Sequence, residues 1–169
     1  MKRILTLLAL CAMLLSLTAC GGSGGTSGGV SSGAAGSGGD ISFDAVYQGI
    51  LDAQENTDEL ILFPEEGADA IESLYPGLTA LNPARIQLYL PPVTGYACEI
   101  LLVEVAEDDV DAAKAILQDR IDSGANDTGY PENAVLWQNN AQIQTQGNCL
   151  CMIALPDGYT IPENVFSLT

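Results

Sequence analysis

ARIQLYLPPVTGYACEILLVEV, residues 84–105, decides the fold. From Ala84 to Leu90 the chain alternates, with Ile86, Leu88 and Leu90 set against Arg85, Gln87 and Tyr89. That is the period of a strand with one apolar face. Pro91-Pro92-Val93-Thr94-Gly95 then turns the chain, since proline cannot donate to a ladder and glycine accepts the turn geometry. Tyr96 to Val105 runs back as a strongly apolar strand, and the pair reads as an antiparallel hairpin.

Outward from that hairpin the remaining elements follow by period and punctuation. Glu107-Asp108-Asp109-Val110-Asp111 opens the best helix of the chain, with Asp108 as the expected N-cap and the surrounding acids favouring the positive end of the helix dipole. Val110, Ala113, Ile116, Leu117 and Ile121 share one face, and Ser123-Gly124 is the expected end. Pro131 to Gln138 predicts a short helix carrying Trp137. Ala141 to Gln146 and Cys149 to Leu155 flank Gly147-Asn148, a two-residue turn of the kind that closes hairpins. The second of these strands is apolar on both faces, which predicts a place in the middle of the sheet. Before the first hairpin, Asp40 to Asn56 has helical spacing with Gly49 as a weak point. Glu59 to Phe63 is a short extended run stopped by Pro64, and Glu66 to Leu74 predicts a helix ended by Pro76-Gly77. The order argues for an α+β fold: an antiparallel sheet of about four strands, made of two hairpins, with helices packed on one face. Residues 40–169 are long enough for one such domain.

The first twenty residues give the chain an address. Lys2 and Arg3 precede a run from Ile4 to Leu15 that is apolar but for Thr6, too short for a membrane span of about 20 residues and right for a signal peptide. Leu17-Thr18-Ala19-Cys20 then places a thiol at a lipoprotein processing site, open to modification beside Gly21 and Gly22. Residues 1–19 are therefore expected to be a lipoprotein signal peptide, with Cys20 carrying lipid. Two acyl chains hold a protein on a bilayer where one would not. Residues 20–39 continue as a Gly/Ser-rich tether whose composition predicts a flexible coil with a typical reach of roughly 25 Å. The expected location is the outer face of the cytoplasmic membrane, with the membrane itself a partner through the lipid on Cys20.

Charge excludes one class of partner. The sequence has 22 acids, five Lys and Arg, and a formal charge of −17. Removing Lys2 and Arg3 with the signal leaves Arg85, Lys114 and Arg120 against the same 22 acids, a charge of −19. Nucleic acid is not a partner for such a chain, because affinity there comes from bases that neutralise phosphates. The acidic surface fits a well-solvated protein or one that attracts cations or a basic protein.

The order of these features resembles a known family. A lipoprotein signal and low-complexity tether precede an apolar strand (Glu99 to Val105), an acid-capped helix, a Tyr130-Pro131 element and a hairpin turning on Gly147-Asn148. Over about residues 59–156 this resembles the bacterial lipoprotein family catalogued as domain of unknown function 4358 (DUF4358), found mainly in Gram-positive anaerobes. The resemblance implies a Gram-positive envelope location. The family carries no assigned activity, so the resemblance implies no catalytic residue and no cofactor.

Candidate chemistry is sparse. Gly21-Gly22-Ser23-Gly24-Gly25 and Gly25-Thr26-Ser27-Gly28-Gly29 satisfy the Gly-x-Ser-x-Gly pattern. A nucleophile elbow, however, needs a strand before it, a helix after it and a histidine partner, and the chain has no histidine. Cys98, Cys149 and Cys151 remain after the signal and the lipidated cysteine are set aside. Cys149 and Cys151 are two apart on one strand, poor geometry for joining each other. Cys98 could bridge to Cys149 or Cys151 if their strands are neighbours; otherwise all three are reduced core residues. Zinc would want four closely spaced ligands. Asp108, Asp109 and Asp111 read as helix capping, and Asp122 to Gly129 matches no calcium loop, so no metal site is assigned. Paired carboxylates for glycoside cleavage would want a more aromatic chain.

Two functional readings follow. The first is a membrane-anchored, non-enzymatic binding module that meets a protein or other component of the cell envelope. The second is a small carboxylate- or thiol-dependent hydrolase, or a small-ligand-binding lipoprotein, which requires carboxylates or Cys98 to converge in a concave pocket. The lack of a catalytic signature favours the first.

Overall fold

The computed structural model describes residues 41–55, 60–65, 67–93 and 97–168. The signal segment, Cys20 and the tether lie outside the described residues. The described part belongs to one compact unit. Along the chain it comprises α1 (Phe43–Asp52), β1 (Phe63–Glu65), α2 (Ala68–Leu74), β2 (Arg85–Leu90), β3 (Glu99–Glu104), α3 (Val110–Ala125), α4 (Pro131–Asn140), β4 (Ala141–Gln146) and β5 (Cys149–Ala154). Short 3-10 turns sit at Thr79–Leu81, Glu107–Asp109 and Val165–Leu168.

The sheet is wholly antiparallel, in the order β1-β2-β3-β5-β4. Both expected hairpins are present. β2 meets β3 with Leu88 opposite Leu101, and β4 meets β5 with Gln146 opposite Cys149 across the Gly147-Asn148 turn. β5, apolar on both faces, is flanked by β3 and β4. The α+β class holds, with five strands where the hairpins alone supply four. The added strand is β1, whose Phe63 lies opposite Leu90 and whose Pro64 lies opposite Tyr89. Pro64 was expected to end the extended run. At the edge of a sheet it can instead sit within a strand, because its missing N–H need not serve a second neighbour.

The helices occupy both faces of the sheet, which corrects the expectation of one. Successive residues of a strand point to opposite faces, and every residue of β5 is buried, as are Glu99 to Val103 of β3. Strands buried on both sides need cover on both sides. On one face Ile100, Leu102, Cys149, Cys151 and Ile153 pack with Phe43, Val46 and Ile50 of α1 and with Val165 and Phe166 of the last turn. On the other, Leu101, Val103, Leu150 and Met152 pack with Ile71 and Tyr75 around α2, with Ala113, Leu117 and Ile121 of α3, and with Trp137 of α4. Of the stripe expected on α3, Ala113, Leu117 and Ile121 are buried, and Val110 and Ile116 are half-buried against the same cluster.

Several boundaries differ from their sequence signals, each for a local reason. Ser42 caps α1, its Oγ accepting from the Ala45 amide at 3.3 Å. Gly49, inside that helix, is a close-approach site: a Cβ there would fall 2.5 Å from the Leu168 Cβ. Asp108 does not cap α3, because Glu107–Asp109 forms a 3-10 turn that runs straight into it, and no side-chain cap bond is made. The far end of α3 passes through Ser123-Gly124 instead of stopping there. Gly124 packs directly on the indole of Trp137, where any Cβ would overlap the ring. α4 begins at Pro131, whose fixed φ suits the first helical position.

Two glutamine amides tie down the last segment of the chain. Gln54 donates to the Thr160 carbonyl at 2.8 Å and accepts from the Thr160 amide at 2.8 Å. Gln144 does the same for the Pro162 carbonyl and the Val165 amide, also at 2.8 Å.

Candidate functional site

Glu99 is the anomaly of the central sheet. It opens β3, points to the face that carries α2, α3 and α4, and is only 2% exposed. A carboxylate so placed is costly unless it is paired and fully hydrogen-bonded. Both conditions are met. Arg120, projecting from α3, donates from Nη2 to Oε2 at 2.6 Å and from Nε to Oε1 at 3.3 Å. The Tyr75 hydroxyl, from the turn after α2, donates to Glu99 Oε1. The Arg120 guanidinium also lies over the Trp137 ring, 4.5 Å from its centroid, an arrangement that favours the cation. Three elements thus meet at one end of β3 around one carboxylate.

The electrostatics lock these groups in one protonation state. Burial, then the charge of Glu99 and the hydrogen bond to it, push the Tyr75 phenol well above its ordinary value. Burial alone would lower Arg120, but the bond and charge of Glu99 outweigh it and hold the guanidinium above its usual range. Neither Tyr75 nor Arg120 exchanges a proton near neutrality.

Above the cluster opens a cleft of about 510 Å³. Arg120 and Trp137 form its inner wall, Ser123 comes from α3, and Asp127, Thr128 and Tyr130 come from the loop before α4. The loop is shaped by its own polar groups: Asp127 Oδ1 accepts from the Gly129 amide at 2.7 Å, and Asn126 Nδ2 donates to the Asp122 carbonyl at 2.7 Å. Tyr130 is 60% exposed, while Trp137 is 5% exposed. Arg120 is the cleft's one cationic wall residue, and its charge is already balanced by Glu99.

The three cysteines are elsewhere, all buried thiols and none in a disulfide. Of the two alternatives for Cys98, the reduced core residue is the one found, because the register does not suit a bridge. β3 and β5 are neighbours, but Glu104 lies opposite Cys149 and Leu102 opposite Cys151. Cys98 is therefore four residues along the ladder from the partner of Cys151, about 13 Å at strand spacing, against the ~7 Å limit for a disulfide. Burial, with Glu99 adding, pushes the Cys98 thiol up to about 12. Burial raises Cys149, with Glu104 adding and Arg85 opposing, and burial raises Cys151 further still. Cys98 borders a different, apolar recess with Ile61, Pro91, Val93 and Pro156. Cys98 meets no carboxylate in this recess or in the Arg120 cleft, whereas Asp44 and Glu65 both line a third hollow, of about 460 Å³, beside Gln87 and Tyr89. The described residues hold no group of three or more acids or cysteines placed to bind a metal ion.

Sequence reasoning missed Glu99, Arg120 and Tyr75 as a unit. A signal was there: Glu99 is a lone acid at the head of the apolar run Ile100 to Val103, and beyond residue 19 the sequence offers only three bases to meet it.

Searches of the curated proteins and of the solved structures find no match. A family model does match, over residues 66–155, just over half of the chain. The matched range contains the whole cluster and cleft and ends just after β5; α1 and the last 3-10 turn, which cover the other face of the sheet, fall outside it. The chain belongs to the family described as Domain of unknown function (DUF4358).

Proposed function

We propose that this protein is a lipid-anchored binding module of the cell envelope, held to the outer face of the cytoplasmic membrane through Cys20 and carrying its ligand or partner at the Arg120 cleft. The observation that carries the reading is the cleft itself. It is concave, within the size range of small-molecule sites, and walled by polar side chains over a fully satisfied ion pair. Its groups are arranged to hold rather than to react. Tyr75 and Arg120 are fixed in their protonation states, and the thiols are buried away from the cleft with raised pKa values. The address is supported by the basic start, the apolar run from Ile4 to Leu15 and the Leu17-Thr18-Ala19-Cys20 ending. The tether at residues 21–39 supports a domain free to meet partners within roughly 25 Å of the bilayer.

In-cell crosslinking tests this directly. A photoreactive residue at Tyr130 of the membrane-bound chain should give one recurring adduct, lost when Cys20→Ala releases the protein. No adduct under conditions that capture a control lipoprotein would overturn the reading.

A further inference from the structure

The walls of the Arg120 cleft are polar but carry little net positive charge. Its one cation, Arg120, is already neutralised by Glu99 through two hydrogen bonds, so a free anion finds little net positive charge. The chain as a whole repels anions, at a formal charge of −17. What the cleft offers instead is short, neutral hydrogen-bonding reach: the hydroxyls of Ser123 and Thr128 and the side-chain carbonyl of Asn126, whose Nδ2 is taken by the Asp122 carbonyl, with Asp127 as its one acid. At the rim stands Tyr130, an exposed aromatic on the same loop.

We infer that the cleft binds a neutral, polyhydroxylated ligand, one or two sugar rings in size. A sugar ring presents hydroxyls around its edge and C–H groups on its faces. The edge would be met by the hydroxyls of Ser123 and Thr128, which both give and accept hydrogen bonds, and by the Asn126 carbonyl and the Asp127 carboxylate, which accept them. The face would lie against Tyr130, because an aromatic ring carries a negative face and C–H groups are its complement. The volume of about 510 Å³ admits one or two rings. The inner wall is held rigid: Gly124 seats Trp137, and Arg120 is fixed between the indole and Glu99. Rigid polar walls lower the ordering cost of binding. One carboxylate in the cleft, without a second opposite it, suits holding a sugar and not cleaving one. This inference rests on the cleft being the binding site, as proposed above.

The chain has a single tryptophan, Trp137, and it forms part of the cleft wall, so intrinsic emission reads occupancy without a label. The full chain, in a detergent without sugar headgroups, is titrated with N-acetylglucosamine, its β-1,4 disaccharide and maltose. Acetate, inorganic phosphate and glycylglycine are titrated in parallel. A saturable change with at least one sugar at millimolar concentration is expected, with none for the three comparison solutes. Tyr130→Ala should weaken that sugar at least tenfold, and Asp127→Asn severalfold, with unchanged circular dichroism. The inference is overturned by silence with all three sugars, by a response to acetate, phosphate or the dipeptide alone, or by sugar binding that Tyr130→Ala leaves intact. Silence here together with a crosslinked adduct in cells would refute the sugar and leave the binding module standing.

Discussion

Replacing Arg120 by methionine keeps a long flexible stem against Trp137 and removes only the charge and its donors. Glu99 would then be left 2% exposed with Tyr75 as its remaining partner. Breaking a buried pair by deleting one member costs about 3–5 kcal/mol. The lower end applies here, because the Arg120 side chain is 18% exposed and water can reach the vacated space. A loss of about 3 kcal/mol corresponds to roughly 10 °C in Tm for a domain of this size. Urea unfolding followed by far-UV circular dichroism is the assay, since the same substitution alters the native emission of Trp137. A second substitution sharpens it. In the Arg120→Met background, Glu99→Gln removes the stranded charge yet still accepts the Tyr75 hydroxyl, and should recover more than half of the loss. A loss below about 1 kcal/mol, or no recovery by the glutamine, would refute the claim that Glu99 is a desolvated charge held by Arg120.

Three other outcomes follow from the same packing. Gly124→Ala gains about 1 kcal/mol of helix propensity but drives a methyl into the indole. Overpacking of that kind costs about 1–3 kcal/mol, so net destabilisation with a shift in Trp137 emission is expected; a stabilised variant would contradict the contact. Stability should fall on the alkaline side. Cys98 is raised from 9.0 to about 12 by burial, so between those values the unfolded chain loses a proton that the folded chain keeps. That contribution is whole below about pH 9 and lost progressively toward pH 12, and Cys149, Cys151 and Tyr75, all raised, act in the same direction. Unfolding titrations showing a flat profile through that window would contradict it. The same burial predicts that Ellman's reagent at pH 8 leaves Cys98, Cys149 and Cys151 unmodified in the folded chain and reacts with all three in denaturant; rapid reaction of the native protein would place a thiol at the surface.

Much of the fold was legible because periodicity is strong where one face is buried. The alternation of Ala84 to Leu90 and the apolar return strand gave the first hairpin, and Gly147-Asn148 gave the second. The two-sided helical cover was also written in the sequence, since Cys149 to Leu155 has no polar face to leave in water; the one-face expectation did not follow that through. β1 was hidden by Pro64, which reads as a stop unless the strand is known to lie at an edge. The end of α3 was misread because Gly124 signals termination locally and is explained only by a tryptophan thirteen residues on. The cluster was harder still. Glu99 could be flagged as a buried acid, but its pairing with Arg120 and Tyr75 depends on how α2 and α3 lie across the sheet. The Cys98 bridge failed on register alone, a quantity that strand adjacency does not supply.

The proposed lipid anchor on Cys20 stands or falls on the chemistry of the N-terminus in the membrane-bound protein. Mass spectrometry of the protein purified from bacterial membranes should find a first residue at Cys20 bearing a diacylglyceryl thioether, and Cys20→Ala should yield a released chain without it. A mature chain cut at another site, or one in which Cys20 carries an unmodified thiol, would contradict the account.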